Sequence, residues 1–176
     1  MLRQSRKNNA SSAVQIALAF GLAFSPTCTI AQQRGAEDTF ARLAGEWSGD
    51  GTVKMVAGSS EKIRCKAIYV VTSNGTSLEQ ILHCASDSYK FEVRSKVVST
   101  GTTFAGKWAE LTRDRIGNVS GTVTSAGIRG KIDGIGFTAE LAILTQANRQ
   151  SVTIDPTGAT DISHVSITLT KGVAQN

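Results

Sequence analysis

The sequence predicts an all-β domain: an up-and-down antiparallel meander of about ten strands that closes into a barrel, with one short helix ahead of it. Three observations carry this expectation. From Lys62 onward, apolar and polar residues alternate in short runs, the pattern of half-buried strands. Turn residues separate those runs at nearly even spacing, with no second helical stretch and no room for crossovers. Finally, Asn74-Gly75, a strong hairpin signal, stands between two runs that each carry one cysteine. A long open meander leaves two unpaired edges, and closure removes them.

The hairpin fixes a register. Strands folded about Asn74-Gly75 pair residues whose numbers sum to 149, which sets Cys65 opposite Cys84, Ala67 opposite Leu82, Tyr69 opposite Gln80 and Val71 opposite Leu78, all on one face. A disulfide between Cys65 and Cys84 follows. A strict two-residue loop would put the cysteines at a hydrogen-bonded site, whereas a four-residue turn over Ser73–Thr76 keeps the sum and gives them the closer, non-hydrogen-bonded spacing. That turn, or a nearby bulge, is expected. The cross-link should stabilise the fold by about 3 kcal/mol in the chain-entropy description.

In chain order, Ala36 to Leu43 reads as the helix, with acidic residues early, Phe40 and Leu43 on one side, and Gly45 to end it. Trp47, Gly49, Gly51 and Val53 share a face of the first strand, where glycines allow another backbone to approach. The hairpin strands Lys62–Thr72 and Thr76–Ser86 come next, then a strand through Tyr89, Phe91 and Val93. Ser99-Thr100-Gly101 turns the chain into Thr102–Arg113, which puts Phe104, Gly106, Trp108 and Glu110 on one face, and Ile116-Gly117-Asn118 should turn it again. Three glycine-punctuated segments follow, through Val119 to Val123, Ile128 to Ile132 and Phe137 to Ile143. The last two strands, Gln150–Asp155 and Ile162–Lys171, should be separated by a turn at Pro156-Thr157-Gly158.

The first 31 residues read as a cleaved secretory signal. Arg3, Arg6 and Lys7 form a basic head, Ala13–Phe24 is apolar but short for a membrane span, and Thr29-Ile30-Ala31 suits a signal peptidase that leaves Gln32 as the new terminus. The rival is a lipoprotein signal on Cys28, which Ser25-Pro26-Thr27 matches poorly. Residues 32–176 then form a single domain of 145 residues, periplasmic or secreted, in an oxidising compartment suited to the disulfide. Losing the signal lowers the formal net charge from +5 to +2, and no basic run interleaved with aromatics remains. Nucleic acid is therefore not an expected partner, nor is stable membrane insertion, and the barrel should be a monomer.

The stretch Leu43-Ala44-Gly45-Glu46-Trp47-Ser48-Gly49-Asp50-Gly51, just after a short helix and at the head of a β meander, resembles the opening of calycin-type barrels. Lipocalins and fatty-acid-binding proteins carry a Gly-x-Trp motif there, and the longer L-x-G-x-W-x-G-x-G form is similar to the nitrobindin branch. The resemblance implies a closed barrel with a cavity for a small hydrophobic ligand or, in nitrobindins, haem. It also implies an axial histidine at the start of the final strand, where this chain has His164. The chain lacks a second lipocalin motif near its middle and that family's late-strand arginine.

The residues expected to line or close a cavity are Trp47, Tyr69, Gln80, Phe104, Trp108 and Glu110. Gln80 and Glu110 are polar groups on otherwise apolar faces; they either orient a ligand or are paired within the wall. The loop Ala85–Tyr89 is a tight turn, with Asp87 bonding its own backbone, or a binding lip. No serine sits in a nucleophile elbow, and His83 and His164 lack the neighbours of a zinc site or a triad. The expected function is non-enzymatic: carriage or sequestration of a small apolar molecule, without cofactor. The alternatives are a haem barrel using His164 and a ligand-free structural or interaction protein of the cell envelope.

Overall fold

A computed structural model describes residues 28–172. Helix α1 (Cys28–Leu43) precedes ten strands: β1 (Gly45–Met55), β2 (Ser60–Thr72), β3 (Ser77–Ala85), β4 (Lys90–Thr100), β5 (Thr103–Glu110), β6 (Arg115–Thr124), β7 (Gly127–Gly134), β8 (Phe137–Gln146), β9 (Arg149–Gly158) and β10 (Ile162–Lys171). Each strand pairs antiparallel with its neighbours in sequence, and β10 returns to pair with β1 from Trp47↔Lys171 to Met55↔Ile162, so the meander is a closed barrel. Most of the expected signal segment, residues 1–27, lies outside the described residues, as do residues 173–176.

The hairpin register is the expected one. Cys65 pairs with Cys84, Tyr69 with Gln80 and Thr72 with Ser77, which leaves a four-residue connection over Ser73–Thr76. Ser73, Asn74 and Gly75 all have positive φ there. Cys65 and Cys84 are bonded, with Cα atoms 4.1 Å apart, close to the roughly 4.5 Å of a non-hydrogen-bonded pair. Both cysteines are buried on the inner face.

Three boundaries differ from expectation. The helix begins at Cys28 instead of Ala36, since Ala31, Gln32, Gln33 and Arg34 are good helix formers; the expected cleavage point falls inside it. Ile116-Gly117-Asn118 is not a turn but part of β6, and the chain reverses earlier, over Leu111–Asp114, where Asp114 takes the left-handed conformation. Pro156-Thr157-Gly158 is likewise strand, the end of β9, and the turn is Ala159–Asp161. Proline is tolerated there because the β9–β10 ladder stops at Ile154↔Val165, so β9 is paired only with β8 at Pro156.

Alternation sorts the strands into two faces. On β2, Ile63, Cys65, Ala67 and Tyr69 are buried inside while Lys62, Arg64, Lys66 and Ile68 face out. Membrane barrels have the reverse pattern, apolar outside and polar within. Among the described residues no helix is long and apolar enough to cross a membrane. The glycines of β1 lie where β10 comes closest: a side chain on Gly49 would strike the Thr168 carbonyl, and one on Gly51 would lie 2.5 Å from that of Ser166.

Because the strands run up and down, the connections alternate between two ends. Helix α1 covers the end with the short turns after β2, β6 and β8. Phe40 and Leu43 are buried beneath it, Thr39 Oγ1 lies 2.8 Å from both Gly35 O and Thr124 O, and Lys171 Nζ donates to Arg42 O at 3.2 Å. The other end is bounded by the loops 56–59, 86–89, 111–114, 135–136 and 159–161.

Candidate ligand-binding cavity

The barrel encloses a cavity of about 290 Å³, near the lower limit of the roughly 300–1,000 Å³ typical of ligand pockets. Its floor is Phe40 of α1. Its walls are aliphatic, with Ile63, Leu82, Val97, Ile132, Leu141 and Ile167 among them, and Phe91, Phe137, Pro156 and Thr160 stand toward the uncovered end. An apolar interior of this kind favours an apolar occupant, since little on the wall would repay desolvation of a polar one.

Five of the six expected residues line it: Tyr69, Gln80, Phe104, Trp108 and Glu110. Trp47 does not. It lies fully buried beneath the end of α1, donating its indole N–H to Leu43 O at 2.7 Å with Lys171 Nζ 5.4 Å from its ring, and so belongs to the plug that closes the barrel.

Four of the polar lining groups fall on one inner row. Register places Tyr69, Gln80, Ser95, Trp108 and Gly117 side by side on β2 through β6. Tyr69 donates to Gln150 Oε1 at 2.9 Å, Gln150 Nε2 reaches Thr145 Oγ1 at 3.4 Å, and Ser95 donates to Gln80 Oε1 at 3.0 Å. Burial pushes the Tyr69 phenol far above its ordinary range, and hydrogen bonds with Gln150 and Gln80 offset this only in part. Tyr69 is therefore a neutral hydroxyl at any ordinary pH. Gln150 was not anticipated, although its alternation with Val152 and Ile154 is the signal that puts it inside.

Glu110 is a structural acid at the rim. Its Oε1 accepts from Thr112 N at 2.9 Å and Glu92 N at 3.4 Å, its Oε2 accepts from Arg113 N at 2.9 Å, and the carboxylate thereby organises the β5–β6 turn. Burial pushes its pKa up, but the hydrogen bonds from Thr112, Arg113 and Glu92 outweigh this and hold it below the ordinary value. Nearby, the Arg113 guanidinium lies 5.4 Å from the Tyr89 ring and 4.9 Å from that of Phe91. In the Ala85–Tyr89 loop the side chain that bonds the backbone is that of Ser86, whose Oγ accepts from Tyr89 N at 2.9 Å, and not the Asp87 carboxylate.

Neither histidine reaches the cavity. His164 stands on the outer wall with Nδ1 2.6 Å from Asp155 Oδ1, and His83 faces out, 3.9 Å from Glu92. Among the described residues no group of three or more His, Cys, Asp or Glu is placed to hold a metal ion.

No known protein family matches the chain, and no curated protein matches it in sequence. Solved structures do. The chain is similar to Rv2717c from M. tuberculosis, with TM-score 0.62 and 12% identity over 78% of this chain and 98% of that one. It is also similar to the S-type phycobiliprotein lyase CPES from Guillardia theta, with TM-score 0.62 and 10% identity over 85% and 100% of the two chains. At such identities the likeness is one of fold. With the ten-strand closed barrel, it fits a calycin-type architecture.

Proposed function

We propose that the mature chain is an exported, non-enzymatic barrel, active as a monomer in the periplasm or outside the cell, that carries or sequesters a small apolar molecule. The observation that carries this reading is the interior cavity, floored by Phe40 and walled almost entirely by aliphatic and aromatic side chains. A barrel serving only as a structural or interaction module has no need of an internal space, because cores otherwise pack densely. Similarity to a barrel named as a lyase is compatible with small-molecule binding here, and the serine hydroxyl in the lining, that of Ser95, is bonded to an amide and not to a base. The haem alternative is less favoured by the lining, where the one side chain of a haem-ligating type is Tyr69, its hydroxyl committed to Gln150, while His164 stands outside beside Asp155.

The test is a native mass spectrum of the protein purified from an exporting host, set beside its denatured, non-reduced mass. Added mass that is lost on denaturation is the expected result, and its value identifies the ligand class. A bare mass in both, repeated after incubation with a lipid extract and with haemin, would favour the envelope structural role. The denatured mass also reads the terminus: a chain starting at Gln32 is expected.

A further inference from the structure

The two ends of the barrel differ in what their turns expose. At the end covered by α1 the connections, residues 73–76, 101–102, 125–126 and 147–148, hold only small or polar residues, as exposed turns ordinarily do. At the open end they do not. Val56 opens the β1–β2 loop at 67% exposure, Leu111 the β5–β6 loop at 47% and Ile135 the β7–β8 loop at 74%, while the half-buried Tyr89 ends the β3–β4 loop. Ile116, two residues into β6, is exposed at the same end. Loops at one end recur at every second strand, about 10 Å apart along the rim at the usual strand spacing. Four consecutive loops therefore carry a large apolar side chain around the cavity mouth.

We propose that this rim docks reversibly on the surface of a zwitterionic lipid bilayer, its apolar side chains entering the headgroup layer and the cavity mouth facing the hydrocarbon. The apolar points are parted by polar residues such as Ser59, Thr112 and Arg113 and by the mouth itself. They form no continuous patch of the kind a protein partner packs against, whereas a fluid headgroup layer fills the gaps between them. Charge agrees. Counting each loop with the residue on either side, Lys90, Arg113 and Arg115 stand against Asp87, Glu110, Asp114 and Asp161, a near balance that suits a surface bearing both signs and not an anionic one. This inference rests on the proposed carrier role and deepens it: an apolar cargo dissolves in bilayers, and a docked rim lets it enter and leave the barrel without crossing water.

The test is co-sedimentation with phosphatidylcholine vesicles. The unaltered protein is expected to bind them, and a Val56→Ser, Ile135→Ser variant to bind about tenfold more weakly, because two aliphatic side chains no longer leave water on docking. A Val70→Ser, Val98→Ser variant is the control: these side chains are 48% and 50% exposed but stand on the outer wall, away from the open rim, and their loss should leave vesicle binding unchanged. None of the four residues lines the cavity, so octane affinity measured without vesicles should be the same in all three proteins, which also shows that the variants are folded. If the unaltered protein ignores vesicles, or the rim variant binds them as well as the control does, bilayer docking is overturned; octane binding then leaves the carrier role standing. If octane does not bind, the carrier role falls and the rim is no port for cargo. A protein that dimerises, ignores vesicles and becomes monomeric in the rim variant would assign the rim to a second copy and overturn the proposal.

Discussion

At the scale of single residues, side chains that look like ligand hooks also hold the protein itself. Tyr69 and Gln150 are the clearest pair. Gln150 is 0% exposed, and Tyr69→Phe would strip the only hydroxyl bonded to its Oε1, at a cost of about 1–3 kcal/mol. A lower urea midpoint with an unchanged slope checks this. Glu110 makes a pH-dependent contribution. Its folded pKa lies below its unfolded value near 4.5, so its stabilisation is complete above that pH and is lost as pH falls through the lower, folded value. Glu110→Gln should flatten the acid limb of the stability profile. Glu61, likewise lowered by bonds from Ser86 and Ser88, acts in the same window, and Glu61→Gln serves as the comparison. Glycines act here through space. A side chain on Gly117 would meet Trp108 Nε1 at 2.7 Å, and one on Gly130 would meet the Phe104 ring at 2.9 Å. Alternation alone placed Tyr69, Gln80, Phe104, Trp108 and Glu110 on faces that line the cavity, because period two is the one property that survives barrel closure. It did not reveal that Glu110 would turn toward its own backbone, or that Trp47 would sit under the helix, since both depend on the height of a residue along the barrel axis.

At the scale of elements, the β2–β3 hairpin and α1 fix the two features the cavity needs, a registered wall and a floor. The disulfide pins the hairpin by joining residues 19 apart. Thiol labelling of the unreduced, denatured protein is expected to find no reactive cysteine at positions 65 and 84, and reduction should lower stability by about 3 kcal/mol. Helix α1 is tied to β6 through Thr39, to its following turn through Arg42 and to β10 through Lys171, and it delivers Phe40 to the cavity floor. Phe40→Ala should cost about 3–5 kcal/mol by calorimetry or denaturant, and should deepen the cavity enough to admit a longer apolar probe. The strands were legible as elements, with two of their boundaries misplaced at glycines. Gly117 looks like a turn residue, yet it is a strand glycine where the Asp133 carbonyl and Trp108 crowd in, whereas Gly158 does bend the chain, at φ 98°, but at the end of β9, so the turn starts one residue later than expected. Composition cannot separate a glycine that bends the chain from one that admits a neighbour.

At the scale of the whole molecule, closure is the feature that matters most, and the hairpin at Asn74 announced only its beginning. The β1–β10 ladder joins Trp47 to Lys171, the two ends of the barrel sequence, and leaves no sheet edge open to another chain. Such distant pairing belongs to folds that form in milliseconds to seconds and not microseconds. It also sets a timetable for biosynthesis. The strand that seals the cylinder, β10, follows the other nine in the chain, so until it is made β1 has only one of its two neighbours and the sheet remains an open, threadable ribbon. Under the export proposed above, that order withholds the step that would jam a narrow translocation pore until β10 is in place.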